Sequence, residues 1–229
     1  FLLFKLTEGK SFYTDATNAS RTSLYNIYEN NWDNELLEIF KIPLNILPEV
    51  KDNIFEFGVT SKNITDKSIP IHAMIGDQQS AAIGQNCFNP GDIKATFGTG
   101  CFILLNTGEK PLVSKNKLLS TIAYKINNIT SYALEGSIFV SGSTIKWLRD
   151  ELGIIKNIND SQSLAESIKD NNGVYFVPAF TGLGAPHWKP DARGTIVGLT
   201  GSSGKAEIVR AALEAVAYQS VDLFDAMAS

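Results

Sequence analysis

The sequence predicts an α/β fold in which a mixed sheet carries helices on its faces and the chain is shared between two partial domains. Three observations predict it. From residue 92 onward, Ile93–Thr96, Phe102–Asn106 and Leu118–Ile126 are β-rich stretches separated by turn residues, as in an antiparallel meander. They lead into an alternation of a helix over Ser137–Leu152, an apolar strand at 174–180 and a long helix from about Lys205. The 229 residues are 44% hydrophobic, ample for one large core or two modest ones.

Taken in order, Thr14–Arg21 is polar and reads as a loop, and Leu24–Ile27 as a short strand or helix start. Trp32–Phe40 has apolar residues at helical spacing, with Asp33 placed to cap its N-terminus. Pro43 and Pro48 break the next stretch, and the polar, uneven residues 58–70 read as a surface loop. Residues 71–75 form a short apolar strand, after which Asp77 opens a helix through about Gln85. Asn89-Pro90-Gly91-Asp92 is a turn. Gly153 stands at the C′ position of the Ser137–Leu152 helix and stops it. A Gly- and Pro-rich loop comes after the strand at 174–180 and runs through Trp188 and Pro190. The last helix has an apolar stripe of Val209, Ala212, Leu213, Val216, Leu223, Phe224 and Met227, with Gly204 as N-cap and Glu207 at N3. The alternation stops after a helix, where one more strand is expected.

Composition excludes several classes. The 20 Lys and Arg are scattered and outnumbered by acids, with a net charge of −4, so no nucleic-acid surface is expected. No apolar run reaches membrane-spanning length. Cys87 and Cys101 sit in no metal-type spacing and read as small hydrophobes in a reducing, cytoplasmic compartment. Phe1-Leu2-Leu3-Phe4 begins abruptly, without initiator Met or signal peptide, as an internal segment of a longer chain would.

Two segments carry chemistry. In Gly76-Asp77-Gln78-Gln79, Asp77 reads as a helix N-cap and, compatibly, as a general base at the edge of a cleft. Gln78 is placed to hydrogen-bond a second hydroxyl of the same substrate. Gly98-Thr99-Gly100 reads as an ordinary hairpin turn, or as a turn whose backbone N–H groups and Thr99 hydroxyl approach phosphate oxygens. It is not a Walker loop, since no Gly-Lys-Ser/Thr comes after it. Together, a base for a hydroxyl proton and a phosphate-holding turn point to phosphoryl transfer onto an alcohol. Gly142 is expected inside a helix, where glycine costs about 1 kcal/mol relative to alanine, so close packing or ligand room should compensate. His187 lacks a Ser or Cys partner in a recognisable arrangement and reads as loop structure rather than catalysis.

These residues lie within longer stretches: TDATNASRT at 14–22, Gly76–Gln79 with Gly84-Gln85, ATFGTGCF at 95–102, Asn106-Thr107-Gly108, ALEGS at 133–137, WLRD at 147–150 and VPAFTGLGAPHW at 177–188, with Gly194, Gly198-Leu199, Glu207-Ile208 and Ala211–Glu214 toward the end. Over nearly its whole length the chain resembles the FGGY family of carbohydrate kinases, and within it the members that act on glycerol. The resemblance implies an actin-like, ribonuclease-H-type fold with a catalytic cleft between two domains. Residues 1–86 would be the C-terminal part of the family's N-terminal domain. Residues 87–229 would be most of its C-terminal domain, short of the last strand and the adenine-binding segment.

It also implies ATP-dependent phosphorylation of glycerol to glycerol 3-phosphate. Asp77 matches the family's catalytic base. Gln78 and Phe102 match residues of the glycerol pocket, with Phe102 against the carbon skeleton. Thr99 and Gly142 match nucleotide contacts, with Gly98 and Gly100 flanking Thr99 on the nucleotide side, and Lys146 stands where a glutamine near the nucleotide is common. ATP and Mg²⁺ are the implied cofactors, the Mg²⁺ site belonging mostly to the family's N-terminal region. No ligand to it is expected among the site residues here. Glycerol and ATP/ADP are the implied partners, with no nucleic acid or membrane, and a homodimer or homotetramer is the implied assembly. Neither the Gly-Arg element nor the histidine tied to regulation in some members is present at residues 58–68. The segment by itself is expected to be inactive. A kinase of another polyol or a ketose such as xylulose, and a non-catalytic actin-like module, remain as alternatives.

Overall fold

The computed structural model describes residues 1–228, which fall into two compact units. The first comprises Phe1–Lys94, Leu104–Val113 and Ser120–Leu134; the second comprises Ala95–Ile103, Ser114–Leu119 and the chain from Glu135 onward. In chain order the elements begin with α1 (Leu2–Leu6), β1 (Tyr13–Asp15), α2 (Ala16–Ala19), β2 (Tyr25–Asn26), β3 (Asn31–Trp32) and α3 (Asn34–Phe40). A 3₁₀ turn at Leu44–Ile46 precedes β4 (Glu49–Lys51), β5 (Ile54–Val59), α4 (Lys62–Thr65), β6 (Pro70–Ala73) and α5 (Asp77–Gly84). Next come β7 (Ile93–Phe97), β8 (Cys101–Gly108), β9 (Leu119–Ile126) and β10 (Ile129–Ile138). The chain closes with α6 (Gly142–Asp150), α7 (Asp160–Glu166), β11 (Tyr175–Val177), β12 (Thr195–Val197) and α8 (Lys205–Ala228). No helix among the described residues is long and apolar enough to cross a membrane.

In the first unit β1 runs parallel to β4 and β5 pairs antiparallel with β6. Asp33 caps α3 as its position predicts, its side chain accepting from the Glu35 and Leu36 N–H groups at 3.0 and 3.1 Å. The core here joins Ala16, Tyr25, Trp32 and Leu37 to Ile122 and Tyr132. The polar stretch at 14–21 is not a loop. It makes β1 and α2, because the Asp15 carboxylate caps the short helix by accepting from the Thr17 and Asn18 N–H groups. The uneven stretch at 58–70 likewise holds the end of β5, the single turn of α4 and the start of β6.

A buried polar hub ties these elements together. Asp15 and Thr17 are fully buried and Asn53 is 3% exposed. The Asn53 amide donates to Asp15 at 2.8 Å and to the Met74 carbonyl at 2.9 Å, and its oxygen accepts from the Lys125 N–H at 2.6 Å. Thr17 donates its hydroxyl to Asp15 and accepts from the Gly76 N–H at 2.9 Å. Every polar end therefore finds a partner, as burial demands. The residues joined in this way run from β1 through the chain before β5 to the turn that opens α5.

Strands β7 to β10 form one sheet in the order β7-β8-β10-β9. The predicted meander lacked a strand: β10 inserts between β8 and β9. Asn127 and Asn128, with φ of 53° and 61°, make the two-residue turn between β9 and β10 that a type I′ hairpin needs. In the second unit Leu148, Val174, Val209 and Ala212 are fully buried in a core with Ile145, Phe176 and Ala215. The helix expected over Ser137–Leu152 is shorter, because Ser137 and Ile138 end β10, and Gly142 is the first residue of α6 rather than an interior one. The helical cost of glycine therefore does not arise there. Gly153 adopts φ of +63° two residues past the Glu151 cap. β12, which the apolar pattern of Thr195–Val197 was too short to reveal, pairs antiparallel with β11. Along α8 Val209, Ala212 and Leu223 are buried as the stripe predicts, but Leu213 and Phe224 are exposed and Ala211, Ala215 and Ala226 are buried instead. Glu207 accepts from the Gly204 N–H at 2.9 Å, completing one half of a capping box. That bond, its own backbone N–H and Asn172 hold its carboxyl below the usual range.

Two buried polar groups should respond oppositely to deletion. Asn53→Ala leaves the Met74 carbonyl and Lys125 N–H without partners and should cost at least ~2 kcal/mol in urea unfolding. The Tyr25 hydroxyl is buried with no hydrogen-bond partner among the described residues, and burial pushes its pKa up to about 12. Tyr25→Phe should therefore leave stability unchanged or raise it; a loss above ~1 kcal/mol would show that the hydroxyl is satisfied.

Candidate active site

Asp77 and Gln78, expected on the acceptor side, lie in the first unit. Gly76, with extended φ and ψ of −63° and 151°, occupies the N-cap position of α5, and Asp77 is the first helical residue. The expectation that Asp77 itself caps the helix is corrected: its Oδ1 accepts from the adjacent Gln78 N–H at 2.7 Å, not from a residue one turn on. Asp77 is exposed at the positive end of the helix. The turn before it is fixed from behind by the Gly76 N–H on Thr17 and by Gln79, which is 2% exposed and donates to the Ile122 carbonyl at 3.3 Å. A Cβ at Gly76 would lie 2.6 Å from the Gln79 amide oxygen, so the buried Gln79 side chain would have to shift to admit one. The local structure thus presents one carboxylate to solvent on a backbone with little freedom.

Gln78 is half-buried beside Asp77, and its Oε1 receives the ammonium of Lys94 at 2.5 Å. Lys94, on β7, is 1% exposed. Sequence reasoning missed it. Its only signal was a lysine flanked by Ile93 and Ala95 in a β-rich stretch, and there the pattern is inverted: Ile93 is exposed and Lys94 is buried.

The residues expected on the phosphate side lie in the second unit. Gly98, Thr99 and Gly100 join β7 to β8, closed by a Gly98 N–H to Gly100 carbonyl bond of 2.8 Å. The turn meets the start of α6 through backbone groups. The Gly142 N–H donates to the Gly98 carbonyl at 2.9 Å, and the Ser141 and Ser143 N–H groups donate to the Thr99 carbonyl at 2.9 and 3.2 Å. Both glycines are forced by this approach: a Cβ on Gly142 would lie 2.6 Å from the Gly98 oxygen, and one on Gly100 would lie 2.5 Å from the Ile138 oxygen. The first N–H groups of α6 are consumed by the turn and are not presented to a ligand. Thr99 stays exposed at the tip. Phe102, on β8, exposes 38% of its surface between the buried Cys101 and Ile103. Lys146 is exposed on α6, where its charge helps to hold the Asp150 carboxyl low, after the larger effect of the Arg149 hydrogen bond.

The loop through residues 181–190 is also in the second unit and is firmly tied. Leu183 and Lys189 exchange backbone hydrogen bonds of 2.9 and 3.0 Å, and the Trp188 indole donates to the Lys117 carbonyl at 2.8 Å. His187 lies 3.1 Å from Asp222, both half exposed, in a His–Asp pair. Cys87 and Cys101 are buried free thiols, and burial pushes Cys87 up. Among the described residues no three His, Cys, Asp or Glu side chains gather as metal ligands.

Residues 1–84 match the N-terminal domain of the FGGY family of carbohydrate kinases, and residues 93–229 match its C-terminal domain. The chain is 60% identical over 227 residues to a glycerol kinase of Sinorhizobium fredii, covering 99% of this chain and 46% of the relative. It is 57% identical to a glycerol kinase of Coxiella burnetii, covering 99% and 45%. The crystal structure of Plasmodium falciparum glycerol kinase with ADP superposes with a TM-score of 0.91 at 44% identity, covering 99% of this chain and 45% of that one. A gluconate kinase from Lactobacillus acidophilus superposes with a TM-score of 0.85 at 25% identity, covering 99% and 46%. The chain thus spans about half the length of the curated relatives it matches, and its mixed α/β architecture is that of the actin-like ATPase fold. With both domain models matched along almost its entire length, the chain belongs to the FGGY family of carbohydrate kinases.

Proposed function

We propose that this chain supplies the acceptor-side base and the phosphate-side turn of an ATP-dependent glycerol kinase of the same length as its relatives. The observation that carries the reading is Asp77: an exposed carboxylate on the first turn of α5, on a backbone anchored by Thr17 and Gln79. The glycerol kinases at 55–60% identity favour glycerol over the ketose and gluconate substrates of other family members.

In this reading Asp77 accepts the proton of the attacking hydroxyl as its oxygen bonds to the γ-phosphorus of ATP and the bond to the bridging oxygen breaks, releasing ADP. Gln78 binds a second hydroxyl and Phe102 covers the carbon skeleton. Thr99, between Gly98 and Gly100, faces the nucleotide phosphates. Gly142 serves by clearance, since its N–H is already spent on Gly98. Lys146 contributes a positive charge from the exposed face of α6. The Mg²⁺ that accompanies ATP would be held mostly by the family's N-terminal region and by the nucleotide phosphates. We assign residues 1–86 and 87–229 to the two family domains, place the protein in the cytoplasm, and expect a homodimer or homotetramer of the kinase-length polypeptide.

The segment by itself should yield no glycerol 3-phosphate in a coupled assay with ATP and glycerol; sustained turnover would show that it holds a complete site. In the kinase-length polypeptide, Asp77→Asn should lower kcat for glycerol at least ~10²-fold, the scale of a lost general base, while ATP affinity stays within about twofold. Near-normal kcat would return Asp77 to a purely structural place in α5.

A further inference from the structure

Lys94 is the most deeply buried cationic side chain near Asp77 and Gln78, and its placement has a chemical consequence. A buried ammonium is tolerated only where its charge is met by good acceptors. One acceptor here is the Gln78 side-chain oxygen, at 2.5 Å. An ammonium carries three donors and no acceptor, so the end of the carboxamide that faces Lys94 must be Oε1. This settles the direction of the amide by chemistry: Nε2, with its two hydrogens, is the end left for a ligand. The bond is charge-assisted and holds one orientation firmly. Gln79, the next residue, has no part in this, because its amide is committed to the Ile122 carbonyl behind the helix.

We propose that Lys94 is a positioning residue for substrate recognition: by holding Gln78 Oε1 it presents Nε2–H₂ to the polyol. The second hydroxyl of the acceptor is then recognised through its oxygen, as a hydrogen-bond acceptor, while the reacting hydroxyl donates its proton to Asp77. The two neighbouring side chains read opposite hydrogen-bonding roles on adjacent hydroxyls. This inference rests on the reading of Gln78 as a glycerol contact. A free glutamine can flip its amide and accept as readily as it donates. The buried lysine removes that freedom, so the site discriminates against an acceptor that offers only a donor, or no polar group, at that position.

The test is steady-state kinetics of the kinase-length polypeptide and its variants, with thermal melting recorded for each. Lys94→Met keeps the volume and removes the ammonium. It should raise KM for glycerol about tenfold, with kcat and KM for ATP changed less than threefold. In a Gln78→Leu background the same substitution should add less than twofold, because the group it positions is gone. Unchanged KM for glycerol in Lys94→Met, or an equal further increase in the Gln78→Leu background, would overturn the positioning role. If Gln78→Leu itself leaves KM for glycerol unchanged, the reading of Gln78 fails and the inference falls with it. Gln78→Glu guards against a Lys94 variant that does not fold: the new carboxylate can still meet Lys94 but has no hydrogen to donate. It should retain the melting temperature and raise KM for glycerol tenfold or more. Normal glycerol kinetics in Gln78→Glu would show that no N–H is offered there.

Discussion

Asp15 is wholly buried, and the needs of its two carboxylate oxygens shape the first unit. They accept from Thr17 N–H and hydroxyl, from Asn18 N–H and side-chain amide, and from the Asn53 amide. A carboxylate removed from water is sustained only by such a full set of donors. Meeting that requirement fixes Thr17 so that its remaining lone pair faces the Gly76 N–H, and fixes Asn53 so that it bridges Met74 and Lys125. The turn that carries Asp77 is thus positioned by chemistry 60 residues earlier in the chain. Proton transfer depends on holding donor and acceptor atoms within hydrogen-bond reach, so a base on a fixed turn serves better than one on a mobile loop.

The second unit reaches rigidity by another route. Its Gly98-Thr99-Gly100 turn is held by backbone contact rather than by side-chain polar groups. Gly100 lies against the Ile138 carbonyl and Gly142 against the Gly98 carbonyl, at separations that no Cβ could enter. The cost is that the start of α6 spends its N–H groups on the turn. Whatever polar contact the turn makes must then come from its tip, where Thr99 is exposed.

The parts of this arrangement that obey local rules were legible in the sequence. Asp33 caps α3, the strand at β6 leads into a helix at Asp77, and Gly98-Thr99-Gly100 is a turn between two strands, all as the residues predict. The misreadings share a cause: tertiary partners decide them. Thr14–Arg21 looks like a loop because its polar side chains are assumed to be solvated, whereas Asp15 and Thr17 are buried and satisfied by Asn53. The residues of β10 carry strand formers, yet its place between β8 and β9 is a matter of long-range pairing. Gly142 looked like a helix interior because the strand end and helix start run together in one apolar stretch. Lys94 was invisible because nothing in Ile93-Lys94-Ala95 says which face of the strand is buried; that depends on Gln78, 16 residues away. Asp77 and Gln78 stood out as polar residues at the mouth of an apolar run, but their neighbours' supporting roles required coordinates.

In the proposed kinase, the buried hub around Asp15 and Thr17 holds Asp77 in place for proton transfer. The most direct test of this placement is the single-turnover rate of glycerol phosphorylation by Thr17→Val in the kinase-length polypeptide, with enzyme in excess over ATP and glycerol saturating. Valine nearly matches threonine in shape but cannot accept the Gly76 N–H or donate to Asp15. That rate should fall at least about tenfold with ATP affinity unchanged, the scale expected when a catalytic group is displaced while binding is kept. A rate equal to that of the unaltered enzyme, in a protein shown to retain its fold, would contradict the claim.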